Sequence, residues 1–477
     1  MSESNLADRL FCAKRIRGDL VSSDPLLGEF TALDGEDYGL ELDRLKTTLT
    51  SPVRRLQQKT QVFPLDVQAS SRSRLTHSLE TKAYARVLGM AIARRRLELR
   101  LHTGNMLLCL GSAAMLHDVG NPPFGHFGEH VLRSWLTEVV DRQELRYLLR
   151  EYEVEDLKAF NGNAQGIRQL HTIQDLNLTL GQIAAIIKVP YTITELLQGK
   201  WRGMGGITGN FPAWAHAHAG VFLSEKSLLD EIRTARHTSN RHPFSSIIEC
   251  ADDLAYTLAD LEDAFDRGVI DRYSVLQLCE IICSIPELNS FHELLSVHKV
   301  RDLFLQSPSE ALPYLRSVIS KAYISDVADT AATEFRRFIE TGEIDFTRGE
   351  HQGLTLIQLL KDYELKHVYS HESVEGLELT GGGYLRGLLK IFMRLLFEEP
   401  DQFRLELTGR GGEPWLRRLA RRISRRHREA YLQATSEGQL SEMYLRIRLI
   451  VDYISGMTDT YAAAEYRLLC GDAAAGV

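Results

Sequence analysis

Several features that would each have fixed a protein class are missing from this 477-residue chain. No uninterrupted apolar run reaches about eighteen residues, so a membrane-spanning helix is not expected. The opening stretch, MSESNLADRLFCAKRIRGDL, is polar and lacks the apolar core of a secretory signal. Six cysteines, at 12, 109, 250, 279, 283 and 470, make neither a CxxC zinc pair nor a disulfide framework; Cys279 and Cys283 have the spacing of one helix face. Together these absences predict a reducing, cytoplasmic compartment. No GxxxxGK[ST] segment, strand-helix alternation or internal repeat occurs, so any handling of phosphates proceeds without a P-loop. The net charge of −8 excludes a protein that coats nucleic acid with its whole surface, while leaving room for a local basic groove.

What is present is helical. Prolines number only 13, and long segments carry a 3.6-residue apolar period. A helix is expected from Arg72, with Leu75, Leu79, Ala83, Val87 and Met90 as its apolar face and His77 off that line. Residues 105–117 form the next helix, apolar nearly all round and therefore buried. The segment 243–268 is the strongest helix of the second half, capped by Ser245 or Ser246 and closed by Gly268. Loop signals occupy LDGEDYG near residue 35, GGGY at 381–384 and GRGGEP at 409–414. Residues 199–220, rich in glycine and aromatics without a period, read as a lid or a surface insertion. WLRRLARRISRRHREAY (415–431) is a basic amphipathic helix. Its arginines from Arg417 to Arg428 suit a solvated face, a subunit contact or an acidic partner such as single-stranded DNA.

The chemistry concentrates in LHDVGNPPFGHFGEH (116–130). An adjacent His-Asp pair is weak by itself, since about one arises by chance in a chain with 16 histidines. Here His117 and Asp118 end an apolar helix, and a Gly-Asn-Pro-Pro turn follows. Imidazole nitrogen and carboxylate oxygen together suit hard or borderline divalent metals. Neighbours on a helix diverge by about 100°, so both reach one ion only beside the helix end. The remaining ligands must come from other helices, and His77 and Asp252 are the natural candidates. Asp252, Tyr256 and Asp260 recur every four residues and share a face, which a solvated acidic surface would also explain. His126 and Glu129, three apart on the following helix, suit general acid-base work. Arg74, one turn before His77, and Lys188 offer cations for phosphate.

At this point the chain resembles a known family, the HD-superfamily deoxynucleoside triphosphate triphosphohydrolases, and most closely the bacterial deoxyguanosinetriphosphate triphosphohydrolases. The segments that carry the resemblance are RRLQQKTQVFPL (54–65), RSRLTHSLE (72–80), LHDVGNPPFGHFGEH (116–130), GNAQGIR (162–168), ADDLAYTLADLEDA (251–264), KHVYSHESVEGLEL (366–379) and DYISGMTDTYAAAEYRLL (452–469). The resemblance implies an all-α, HD-domain helical fold with additional helices. It divides the chain into a loop-rich segment 1–50, a catalytic core 51–275 and a C-terminal helical region 276–477 that contributes to the pocket or to subunit contacts. The implied activity is hydrolysis of dGTP to deoxyguanosine and triphosphate with a divalent ion, Mg, Mn or Co.

For individual residues it implies a metal set of His77, His117, Asp118 and Asp252, with Asp252 preferred over Asp253. It places His126 and Glu129 as the catalytic pair, and Arg74, Lys188 and Tyr256 against the triphosphate. Gln61 and Asp260 fall near the sugar and Asn163 on the substrate side. A homo-oligomer, commonly a hexamer, and single-stranded DNA binding are implied as well. The chain departs from the family pattern at Asn161, where glutamate is usual, and at Lys188-Val189-Pro190-Tyr191, where tyrosine commonly follows the lysine directly. The alternatives are another HD phosphohydrolase, acting on a guanosine polyphosphate or cyclic nucleotide, and a non-enzymatic DNA-binding regulator.

Overall fold

The computed structural model describes Leu6 and residues 10–16, 36–65, 72–198, 219–347 and 349–471. Most of the expected lid, 199–218, lies outside the described residues. Among those residues the protein is all-α, and extended pairing is limited to one antiparallel bridge, Thr60 to Ser73. No helix among them is long and apolar enough to cross a membrane.

The helices that build the site are α1 (Arg74–Arg95), α2 (Thr103–Leu116), α3 (Gly125–Asp141), α4 (Gly162–Arg168), α5 (Pro243–Asp266), α6 (Pro308–Thr333), α7 (Gln352–Glu364) and α8 (Glu372–Phe392). Towards the C-terminus follow α9 (Pro414–Arg422), α10 (Arg425–Glu437), α11 (Glu442–Ser455) and α12 (Asp459–Cys470). Two apolar cores organise them. The first collects α1, α2, α5, α6 and α7, and includes Val119. The second collects α3, α8 and α11, and includes Phe124. The Gly-Asn-Pro-Pro turn therefore crosses from one core to the other.

Helix α1 begins with a capping box, in which the Ser73 and Thr76 side chains each bond the other's backbone N–H. Its buried face is not the expected one. Leu79, Val87 and Met90 are 49%, 40% and 38% exposed, whereas His77, Ser78, Thr81, Ala85, Leu88 and Gly89 are buried. The small side chains let α1 lie close on α2 and α5, which supply the bulk of the apolar surface, so packing overrides the stripe of larger residues.

Three other expectations change. LDGEDYG does not stay a loop, because a helix already runs over Glu36–Leu49. GGGY lies inside α8: a Cβ on Gly381 would stand 2.5 Å from Cγ of Phe124, and one on Gly382 would collide with Phe127. These glycines admit the two phenylalanines of α3's N-terminal turn rather than breaking the helix. The basic segment 415–431 is two helices, α9 and α10, separated at Ile423 and Ser424. Ile423 is fully buried with extended backbone, and the Ser424 hydroxyl pairs with the His427 ring at 2.5 Å.

Candidate active site

His77 lies one turn into α1 and His117 caps the C-terminus of α2. Nδ1–H of His117 donates to the Ala114 carbonyl at 2.6 Å, which turns the Nε2 lone pair toward the site. Asp252, halfway along α5, places Oδ1 at 2.9 Å from His77 Nε2 and 3.3 Å from His117 Nε2. The donor atoms of these three residues all lie within 4.8 Å of one another.

Asp118 is adjacent but otherwise engaged. Its oxygens stand 3.5 Å from His117 Nε2 and 4.0 Å from His77 Nε2. Oδ2 accepts from Arg74 at 2.5 Å and Oδ1 from the Asn121 amide at 2.6 Å. Asp253, the alternative in the ADD pair, turns away to Lys361 at 2.7 Å.

The electrostatics of the cluster call for a cation. Burial would raise the pKa of both carboxyls, but Arg74 and the two histidines hold Asp118 well below the usual range, and His117 and Lys188 do the same for Asp252. Burial alone would lower His117, yet the charges of Asp118 and Asp252 outweigh it and raise the ring's proton affinity. His117 Nε2 is buried without a hydrogen-bond partner. A nitrogen left open beside ionised carboxylates fits a divalent metal ion.

Beyond the Pro-Pro turn, Phe124 and Gly125 take left-handed backbone angles and launch α3. His126 opens into the cavity from the first turn. Enclosure by the pocket and the Arg74 guanidinium push its pKa below the ordinary imidazole value, against the opposing charge of Glu129. Glu129 does not orient His126 by a hydrogen bond. Its carboxylate accepts the Gly162 N–H at 3.0 Å, at the start of α4, and pairs with Arg133. Glu129 therefore acts on His126 through charge, and Arg133, one turn further along α3, is the partner that sequence reasoning missed.

These groups line one cavity of about 540 Å³, together with Gln61, Arg74, Asn163, Lys188, Tyr256 and Asp260. Lys188 reaches Asp252 at 3.4 Å, and that carboxylate with Glu249 keeps it charged despite burial. The Asn163 side chain is committed to the main chain: it donates to the Ile186 carbonyl and accepts the Lys188 N–H, each at 3.0 Å. It thus places Lys188 and leaves little of its amide for a ligand. Asn161 caps α4 and ties the Ala159 and Ala219 carbonyls. The caps of α5 also differ from expectation. His242 is the N-cap, while Ser245 and Ser246 donate to the carbonyls of Ile187 and Gly342.

Also lining the cavity, Gln61 Oε1 and Asp260 Oδ1 are buried without partners. Burial lifts the Asp260 carboxyl to about 7. Tyr369 donates its hydroxyl to Asp260 Oδ2 and lines the same cavity. It sits in KHVYSHE, on a π-helical turn, and its role had no signal beyond membership of that segment. Tyr256 has Lys361 Nζ 5.2 Å from its ring centre.

An HD domain profile matches residues 74–180, which contain His77, His117, Asp118, His126 and Glu129. A phosphohydrolase-associated domain profile matches residues 350–468. The chain is 33% identical to a probable deoxyguanosinetriphosphate triphosphohydrolase of Pseudomonas aeruginosa, over 91% of this chain and 93% of the relative. It is 34% identical to the deoxyguanosinetriphosphate triphosphohydrolase of Klebsiella pneumoniae, over 90% and 93%. The chain belongs to the HD-type deoxyguanosinetriphosphate triphosphohydrolase family. Members of this phosphohydrolase family depend on a metal, and the cluster of His77, His117 and Asp252 is where the described residues offer one a place.

Proposed function

We propose that this chain hydrolyses dGTP, with other deoxynucleoside triphosphates as secondary substrates, to a deoxynucleoside and inorganic triphosphate. The observation that carries the reading is the meeting, in one cavity, of the metal-donor cluster, the cations Arg74 and Lys188, and His126. Its size suits a nucleotide.

His77, His117 and Asp252 would hold the ion, with Asp118 shared between it and Arg74. A divalent ion of the Mg, Mn or Co kind would polarise a phosphoryl oxygen and acidify water there. His126, whose proton affinity enclosure and Arg74 lower, takes a proton as the water oxygen bonds to the α-phosphorus. The bond from phosphorus to O5′ then breaks, and the proton taken by His126 is returned to O5′, which leaves as the sugar hydroxyl. Glu129, anchored on α4, supplies the negative charge that stabilises the protonated ring. Arg74 and Lys188 balance the triphosphate, Tyr256 flanks it, and Asn163 sets Lys188 in place. The open acceptors of Gln61 and Asp260 suit the hydroxyl of a deoxyribose.

We extend the proposal to a catalytic core over 51–275, completed by the C-terminal region through Tyr369, and to a cytoplasmic homo-oligomer such as a hexamer. The exposed arginines of α9 and α10, Arg418, Arg421, Arg425 and Arg426, support a surface for single-stranded DNA. The deciding experiment incubates the protein with each dNTP and GTP under Mg²⁺, Mn²⁺ or Co²⁺ and identifies the products. Triphosphate with deoxyguanosine is expected; pyrophosphate with dGMP, or no turnover with any of the metals, would sink the reading.

A further inference from the structure

The segment DYISGMTDT, at the junction of α11 and α12, contributes no side chain to the cavity, yet one of its carboxylates is bonded to two of the stretches of chain that do. Asp459, in the first turn of α12, is 2% exposed. Its Oδ1 accepts the N–H of Phe124 at 3.0 Å. Its Oδ2 accepts the N–H of Thr60 at 3.0 Å and also the Thr60 hydroxyl. Phe124 is the residue two before His126, and Thr60 is the residue before Gln61.

The neighbouring Lys59 completes the tie. Its buried Nζ donates to the Ser455 carbonyl, at the end of α11, at 3.0 Å and to the Asn121 carbonyl within the Pro-Pro turn. Asn121 in turn holds Asp118. Two adjacent residues of one segment and two ends of C-terminal helices thus grip the turn on both sides.

Phe124 is where such a grip matters most. Its φ of +63° is one that a bulky side chain adopts only under constraint. The ring is wedged against Gly381, and the Phe124 carbonyl accepts the Gly128 N–H at 3.2 Å, which leaves the Phe124 N–H to be bonded from outside the turn. The hydrogen bond that the Phe124 N–H donates to Asp459 fixes that peptide, and with it the direction in which α3 departs and His126 points. The metal donors His77, His117 and Asp252 stand on α1, α2 and α5, and the bonds of Asp459 reach none of them.

We infer that Asp459 is a positioning residue for catalysis, through which the C-terminal helices fix the His126 turn and the Gln61 segment in one register. This rests on the proposed triphosphohydrolase reading for its kinetic test, though not for its structural one. Four proteins are compared: wild type, Asp459→Ala, Asp459→Asn and Thr60→Val. Each is assayed for kcat and KM, for thermal stabilisation by Mn²⁺ alone, and for amide hydrogen exchange over residues 119–130.

Asp459→Ala is expected to lose about 10- to 100-fold in kcat, the scale of a small misplacement of a catalytic group. Its KM and its Mn²⁺ stabilisation stay near wild type, and exchange over 119–130 accelerates. Asp459→Asn keeps an acceptor for Phe124 and recovers most of kcat. Thr60→Val removes only the hydroxyl bond, raises KM and leaves kcat within about threefold. If Asp459→Ala does not fold, Thr60→Val carries the test, since its KM is expected to rise with kcat kept, and a wild-type KM there overturns the inference. An Asp459→Ala protein with wild-type kcat overturns the inference, as does one that loses kcat and Mn²⁺ stabilisation together. A wild type that releases no triphosphate counts against the function alone. Exchange over 119–130 then decides the clamp, and unchanged exchange overturns it.

Discussion

His126 and Asp260 occupy the same cavity and are shifted for opposite purposes. Burial lifts Asp260 to about 7, so that near neutral pH it can both accept and donate a hydrogen bond. Enclosure and Arg74 lower the proton affinity of His126, so its ring gives up its proton more readily than an ordinary imidazole. The sign of the pH dependence follows. Activity that needs the neutral ring is lost as pH falls through its lowered pKa, so the acidic limb of kcat/KM is expected below 6.5. A bound triphosphate brings negative charge beside the ring and raises its proton affinity, so the limb of kcat moves to higher pH. His126→Gln should lower kcat by about 10²- to 10⁴-fold. A limb that stays in place in that variant would assign it to another group.

Among the elements, α8 has the sharpest requirement. Its glycines receive the Phe124 and Phe127 rings, so the fit between α8 and α3 leaves no room for a methyl group at Gly381. Gly381→Ala is expected to destabilise by about 1–3 kcal/mol, the usual cost of overpacking. Gly383, two positions along on the same helix, has nothing within 4 Å of an added Cβ. Gly383→Ala should stabilise by about 0.5–1 kcal/mol through helix propensity alone. Thermal melts of the two variants separate the readings; equal shifts would mean that the glycines mark local flexibility rather than a packing contact.

At the scale of the molecule the second core is held by buried charge as well as by apolar contact. Arg448 of α11 and Asp156 are both fully buried and paired at 2.5 Å, with the Tyr444 hydroxyl also donating to Asp156. Nearby, Arg168 of α4 bridges Asp452 and Glu225. Removing one partner leaves the other charge buried and unmatched. Arg448→Met should therefore cost about 3–5 kcal/mol, and Arg448→Met with Asp156→Leu much less. Equal losses in the single and double variants, measured by denaturant unfolding, would show that the pair contributes only packing.

The sequence by itself determined the helical class and singled out candidate residues that the fold gathers around one cavity. An apolar period reports helices, and His-Asp before a Gly-Asn-Pro-Pro turn is rare enough in kind to mark a site. His77, His117 and Asp252 could be named together as candidates because each sits on or at the end of a strongly signalled helix, and the resemblance preferred Asp252 to Asp253. What it could not determine was which side of α1 faces inward, since Ser78, Ala85 and Gly89 carry almost no apolar signal while Leu79, Val87 and Met90 do. The GGGY of α8 misled for the same reason: glycine reads as a breaker until the phenylalanine it admits is in view. Partners distant in sequence were equally hidden. Glu129 to Gly162, Tyr369 to Asp260 and Asp459 to Phe124 are hydrogen bonds between segments that no periodicity connects. Only the packing of the two cores decides which polar groups meet where they join.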